Sequence, residues 1–253
     1  MIRNIYRYPV KGLSGEGLAT VTLLKGRGMP LDRRFAIARR PDVFDPDHPV
    51  AKPKGQFLML MRDEELALLN TRFDDASGRL SIEQGGVEQL NVSLDDASER
   101  SRLAQFLKVH FRADKIEPVV VSATDHKFTD ISVVSPQKMH AVSLINLSSV
   151  KVLSDAVGQD IDHRRFRANF YFDGVEPWSE FDWMDKDITF GETRLRVTMR
   201  TKRCPATQVN PETAQRDIDV PRELRHHFGH SDIGVYAEVI EGGEVSVGAP
   251  LNI

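Results

Sequence analysis

Cys204 is the only cysteine in 253 residues, and it stands in the stretch T-K-R-C-P-A-T-Q-V-N-P, residues 201–211. Arg200, Lys202 and Arg203 lie immediately before it. Fixed cations beside a thiol favour the thiolate, the form that attacks electrophiles and ligates soft metals. A solitary cysteine is ordinarily a small buried hydrophobe, and this stretch alone goes no further than that. Three arginines, Arg164, Arg165 and Arg167, stand in H-R-R-F-R-A-N at residues 163–169. Forked guanidinium donors suit phosphate, although a solvated loop has the same composition. K-G-L-S-G-E-G at residues 11–17 lacks the G-K-[ST] ending of a phosphate-binding loop and reads as a hairpin turn. H-H-F-G-H at residues 226–230 suggests metal spacing. Adjacent histidines on a helix point about 100° apart, however, and no carboxylate is placed to complete the set. Trp178 and Trp183 flank Glu180 and Asp182, either as a pocket wall or as packing.

These residues need elements to hold them. Residues 194–198 alternate like a strand and, with I-T-F-G-E before them, form a hairpin that delivers Cys204 into a loop. Pro205 and Pro211 keep that loop out of regular helix. Short β-like runs at residues 3–9, 18–24, 35–39, 57–62, 66–72, 80–82, 87–92 and 116–122 are separated by Gly, Pro, Asp and Ser. The predicted fold class is therefore mainly β, a barrel or sandwich with a few short helices. A helix follows Asp95-Asp96, with Leu103, Phe106, Leu107 and Phe111 on one face. Asn146 or Ser148 caps a second, which Gly158 ends, and residues 220–228 form a third with Pro221 in its first turn. Residues 41–54, with four prolines, read as a surface loop, and residues 124–135 as a loop or lid. Residues 235–240 and 244–247 read as a closing hairpin over Gly242-Gly243. A slight composition shift near residue 120 suggests two domains.

Composition excludes several classes. A net charge of −3 and a pI near 6.3 argue against broad electrostatic binding of nucleic acid. One cysteine excludes an intramolecular disulfide, an iron–sulfur cluster on cysteine ligands and a cysteine-based zinc site. No segment reaches the roughly 20 apolar residues needed to span a bilayer, and the N-terminus has no apolar run of signal-peptide length. The expectation is a cytoplasmic protein without membrane association.

The order of motifs from residue 163 onward is F-R-A-N, W-S-E-F-D-W, I-T-F-G-E, R-C-P-A-T-Q-V-N-P-E-T and a final V-G-A-P-L. That series resembles the MOSC domain, the molybdenum cofactor sulfurase C-terminal domain. Upstream, Y-P-V-K-G and L-D-R-R-F resemble the β-barrel domain that precedes it in the amidoxime-reducing components and their bacterial relatives. The resemblance implies a MOSC N-terminal barrel-like domain over residues 1–118 and a MOSC β-barrel over 119–253. It implies a pterin molybdenum cofactor with Cys204 as the protein's metal ligand. Lys11 and Arg33 would hold its phosphate and pterin, with Arg167 and Asn169 in the same site. Arg203 would neighbour the ligand, Thr207 and Asn210 would lie in the loop behind it, and Asn146 would line the pterin pocket. Relatives commonly carry a serine where this chain has Gly12. The implied activity is reduction of N-hydroxylated or N-oxide small molecules, with Asp182 or His140 chosen by residue type as proton suppliers. Electrons would come from a separate ferredoxin, flavodoxin or cytochrome b5-like protein with its reductase. The alternative is a non-catalytic carrier of the cofactor or of its sulfurated form. Pyridoxal phosphate is not expected, because no lysine stands out as a Schiff-base residue.

Overall fold

The computed structural model describes residues 1–111 and 116–253. The N-terminal strands are β1 (Ile2–Arg7), β2 (Glu16–Leu18), β3 (Thr20–Leu23), β4 (Ala36–Ala38), β5 (Asn70–Asp74), β6 (Arg79–Gln84) and β7 (Val87–Ser93). Helix α1 (Ala97–His110), β8 (Val119–Val121), the one-turn α2 (Ile131–Val134), β9 (Val142–Asn146) and α3 (Leu147–Val157) follow. The chain ends with β10 (Phe170–Phe172), β11 (Asp187–Phe190), β12 (Thr193–Lys202), α4 (Val220–Phe228), β13 (Asp232–Glu241), β14 (Gly243–Ser246) and β15 (Leu251–Asn252). The protein is mainly β, as its short alternating runs predict, with four α-helices among the described residues.

The main sheet has eight strands in the order β15-β11-β12-β13-β9-β10-β1-β2. Its hydrogen-bonded ladder runs from edge to edge without closing, so the expected closed barrel is not formed by strand pairing. Central β9 and β10 are parallel, and every residue in both is buried. Their side chains alternate between two apolar clusters, as period-2 geometry demands. Val142, Leu144, Phe170 and Phe172 face the strand-lined interior with Phe190 and Val235. Ile145 and Tyr171 face the other side, where α3 and α4 supply Val150, Leu153, Val220 and Leu224. Each aromatic ring buried there contributes on the order of 2–3 kcal/mol.

A third cluster, around Phe35, Ile37, Leu58, Leu66, Leu80 and Leu103, joins β4, β6 and α1. Val209 and Ala214 from the loop after Cys204 pack into this cluster. The thiol's loop is therefore anchored on apolar side chains of the N-terminal half of the chain, not merely tethered to β12. Capping chemistry was well signalled. Asp96 accepts from the amides of Ser98 and Glu99, Asn146 from Ser148, and Gly158 ends α3 at a φ of 73°.

Three local expectations change. The closing hairpin does not form, because β14 pairs with β3 while β13 pairs with β12 and β9. Gly242 allows this exit, since a Cβ there would lie 2.5 Å from the Leu23 carbonyl oxygen. Residues 57–62 form no strand and touch β4 only through a bridge between Phe57 and Ala38. Residues Glu64–Leu68 make a tight 3-10 turn, so the strand expected from residue 66 begins at Asn70. No helix among the described residues is long and apolar enough to cross a membrane.

Candidate functional site

Cys204 follows the end of the ten-residue strand β12 and serves as N-cap of the turn Pro205–Gln208. Its carbonyl accepts from the Thr207 amide at 3.1 Å and from the Thr207 hydroxyl at 2.9 Å, which fixes the turn. Arg216 braces the loop from outside, donating to the Pro205 and Met61 carbonyls and pairing with Glu64 at 3.0 Å. The thiol opens into a cavity of about 230 Å³. Lys11, Arg33, Lys54, Arg165, Arg167, Lys202 and Arg203 line it, against only two carboxylates, Asp32 and Asp130.

Most of those cations are already engaged. Arg33, held at a φ of 49°, grips both oxygens of Asp32 and donates to the Arg167 carbonyl at 2.7 Å. Asp32 in turn accepts from the Tyr8 amide at 2.9 Å, tying the L-D-R turn to the end of β1. Arg203 donates to the carbonyls of Ile233 and Phe166, so it staples β13 to the F-R-A-N turn. Gly234 makes room for this: a Cβ there would meet the Leu144 carbonyl oxygen at 2.3 Å and the Arg203 guanidinium at 3.3 Å. Burial pushes the Arg203 pKa down. Arg165 bonds the Gln208 carbonyl and pairs with Asp217 at 2.7 Å. Lys11 is buried, donating to the Phe128 carbonyl at 3.0 Å and to Asp130 at 2.5 Å. Burial lowers its pKa, and Asp130 acts in the opposite direction.

Arg167 is different. Its guanidinium makes no hydrogen bond or ion pair among the described residues, and its carbon stands 4.4 Å from the Tyr8 ring centroid, as does that of Arg33. Burial lowers its pKa to about 10, and nearby Arg33 adds to that. Arg167 is half-buried, and a partly desolvated cation left without an anion is costly unless a ligand supplies the charge. This free fork, one soft sulfur and the excess of cations form a donor set suited to an anionic ligand that carries a thiophilic metal.

Seven of the residues expected in the site converge on this cavity: Cys204, Lys11, Arg33, Arg167, Asn169, Arg203 and Thr207. Asn169 reaches it with its amide engaged, accepting from the Ser143 amide and hydroxyl and donating to the Tyr6 carbonyl. Four expected residues are elsewhere. Asn146 does not line the cavity, because its side chain caps α3 and donates to the Glu176 carbonyl and to Glu180. Asn210 holds the far end of the loop through Asp217 and the amides of Glu212 and Thr213. Asp182 is exposed on the turn Ser179–Trp183. His140 lines a separate cavity beside Arg27 and His126, where burial and then the Lys127 charge lower its pKa.

Lys54, Asp130 and Tyr236 were not anticipated in the site. Asp130 bridges Lys11 and Lys54, and Lys54 lines the same cavity as Cys204. Burial opposes the charge on Lys54, but Asp130 and Cys204 outweigh it and raise the pKa. Burial would likewise raise the pKa of Asp130, yet the two lysines hold it down at about 2. Tyr236 of β13 also lines the cavity, its pKa raised by burial.

Comparison with known proteins extends this picture. The MOSC domain model matches residues 119–252, and the MOSC N-terminal beta barrel domain model matches residues 1–122. A Mitochondrial amidoxime-reducing component 1 of Xenopus laevis is 28% identical over 155 residues, covering 56% of this chain and 45% of that protein. Molybdenum cofactor sulfurase 2 of Aedes aegypti is 24% identical over 266 residues, covering 96% of this chain and 31% of that protein. The chain thus spans less than half the length of either relative. The YUAD protein from Bacillus subtilis is 11% identical, with a TM-score of 0.43 over 97% of this chain and 90% of that one.

Proposed function

The chain belongs to the MOSC domain family, and from that premise we propose that it binds a molybdenum cofactor at Cys204 and reduces N-hydroxylated or N-oxide compounds. The observation that carries this reading is the sole thiol opening into a cavity lined by seven cations and two carboxylates, in a chain of net charge −3. The cofactor, when bound, supplies a two-electron centre able to take an oxygen atom from nitrogen. The chain's own residues then have separable tasks. Cys204 would ligate the metal. Arg167 would take the phosphate, because among the described residues its fork has no protein acceptor. Arg33, Arg203 and Thr207 hold the surrounding backbone rigid, which keeps ligand and phosphate sites in register. Tyr236 lines the cavity with its pKa raised by burial, so it would keep its proton and would donate a hydrogen bond to a bound group.

The overall change is balanced by R–NH–OH plus two electrons and two protons giving R–NH2 and water, with the N–O bond broken. Electrons would come from a separate small redox protein. The test uses protein from a host that makes the cofactor. Molybdenum content near one per chain, lost or spectrally altered in Cys204→Ala, together with consumption of benzamidoxime by the dithionite-reduced protein, supports the proposal. Bound, reducible molybdenum with no N-hydroxylated or N-oxide substrate consumed overturns the activity and leaves cofactor carriage in its place.

A further inference from the structure

The cations of the cavity differ in how many donors remain free and in where they stand. Lys11, Arg33, Arg165 and Arg203 are engaged by carboxylates or backbone carbonyls. Arg167 is free but lies against Tyr8. At the cavity's edge, Lys54 and Lys202 remain. Lys54 has 33% of its side chain exposed and shares Asp130, at a long 3.4 Å, with Lys11. Lys202, at the end of β12 and two residues before Cys204, is exposed and makes no ion pair among the described residues. Both cavity carboxylates are already taken, Asp32 by Arg33 and Asp130 by the two lysines. A positive group entering beside Cys204 finds no unpaired carboxylate to receive it, whereas a negative group meets two lysines of the lining, Lys202 without an ion pair among the described residues and Lys54 held only by its long contact to Asp130.

Resting on the function proposed above, we infer that the substrates of this site are N-oxygenated compounds that carry a separate anionic group, such as a carboxylate, beside the reacting N–O bond. For a hydroxamic acid the step is R–CO–NH–OH plus two electrons and two protons giving R–CO–NH2 and water. The N–O bond breaks, an N–H bond forms, and a reduced one-electron carrier is the reductant. Lys54 and Lys202 act on substrate charge and so move KM more than kcat.

The test compares benzohydroxamic acids with a para carboxylate or a para trimethylammonium group, using molybdenum-loaded protein and reduced methyl viologen. At low salt the carboxylate is expected to have about tenfold higher kcat/KM, carried by KM and shrinking as salt screens the lysines. Lys202→Met is expected to narrow the gap severalfold, and the double variant Lys54→Glu, Lys202→Glu to reverse it. Calorimetric binding of the corresponding benzamides to the loaded protein supplies a readout without turnover, and molybdenum content shows that the variants remain loaded. Equal kcat/KM, equal binding, or preference for the cation overturns the inference. If neither compound is turned over although molybdenum is bound and reduced, the reductase proposal fails, and the binding arm still decides whether the edge selects anions.

Discussion

Arg33 donates to the carbonyl of Arg167 at 2.7 Å while both guanidiniums pack on the Tyr8 ring, so two cations are held side by side with one carboxylate between them. Asp32 satisfies Arg33, and nothing among the described residues forms a hydrogen bond or ion pair with the Arg167 guanidinium. Arg167→Met should therefore raise the stability of protein made without cofactor by about 1–3 kcal/mol while sharply lowering molybdenum occupancy. Arg33→Met should do the opposite to stability, costing about 3 kcal/mol because Asp32 loses its partner. Urea denaturation and metal analysis on the same preparations check both.

Asp130 sets an acid limit. Its folded pKa is depressed to about 2 by Lys11 and Lys54, against an ordinary value of 3.8. A depressed carboxyl contributes stability that is present above pH 4 and is lost as the pH falls through 2. Its side chain is 47% exposed, so the contribution is about 1 kcal/mol after solvent screening. Asp130→Asn should flatten the stability curve between pH 4 and 2. An unchanged slope in that window would show that the bridge carries no net stability.

Glu180 predicts the reverse sign. It is fully buried, accepts from Asn146 and Ser149, and burial raises its pKa above 4.5. A raised carboxyl binds its proton more tightly in the folded state, so stability falls as pH rises from 4.5 through the folded pKa and then levels. Glu180→Gln should remove that decline in a pH series of thermal melts.

Asn146→Ala removes a helix cap and two partners of buried acceptors, at a cost of about 1–3 kcal/mol. Molybdenum per folded chain should be unchanged, because the side chain does not reach the Cys204 cavity. A loss of metal without a loss of stability would contradict that placement.

Gly12 occupies a position where serine is common in the family it resembles. Its φ of 88°, and the 2.9 Å that would separate a Cβ from the Leu58 carbonyl oxygen, exclude any side chain without movement. Gly12→Ser should lower stability by about 1–3 kcal/mol and loosen Lys11 beside it, rather than add a phosphate ligand. Melting temperature and cofactor occupancy decide between these outcomes.

What the sequence made legible was local or carried by motif order. Caps at Asp96 and Asn146, the glycine at the end of α3, and the hairpin leading to Cys204 follow from propensity and period over a few residues. Lys11, Arg33 and Arg167 were singled out because each stands in a short motif whose order resembles a family, and they line one cavity with Cys204. Lys54 and Asp130 had no such support. They come from stretches read as surface loops, and their meeting depends on contacts spanning 76 and 119 positions, which no spacing rule reaches. His140 and Asp182 were chosen by residue type, and chemistry alone does not say which face of a loop a side chain takes. The pairing of β14 was missed because two glycines usually signal a hairpin, whereas here they let the chain leave one sheet for another.

That exchange of sheets bears on how the chain is made. β1 lies between β2 and β10, and β3 waits for β14, so the second edge of β1 and the whole of β3 find partners only when residues 170–172 and 243–246 have been synthesised. Contacts of such sequence separation make loop closure slow and expose unpaired strand edges meanwhile. A nascent chain released at residue 118 would carry three strands whose principal partners are missing, and a fragment starting at 119 would lack the strands beside β10 and β14. The Cys204 loop, packed on Val209 and Ala214 against the N-terminal cluster, is then assembled late in folding, when both ends of the chain are present.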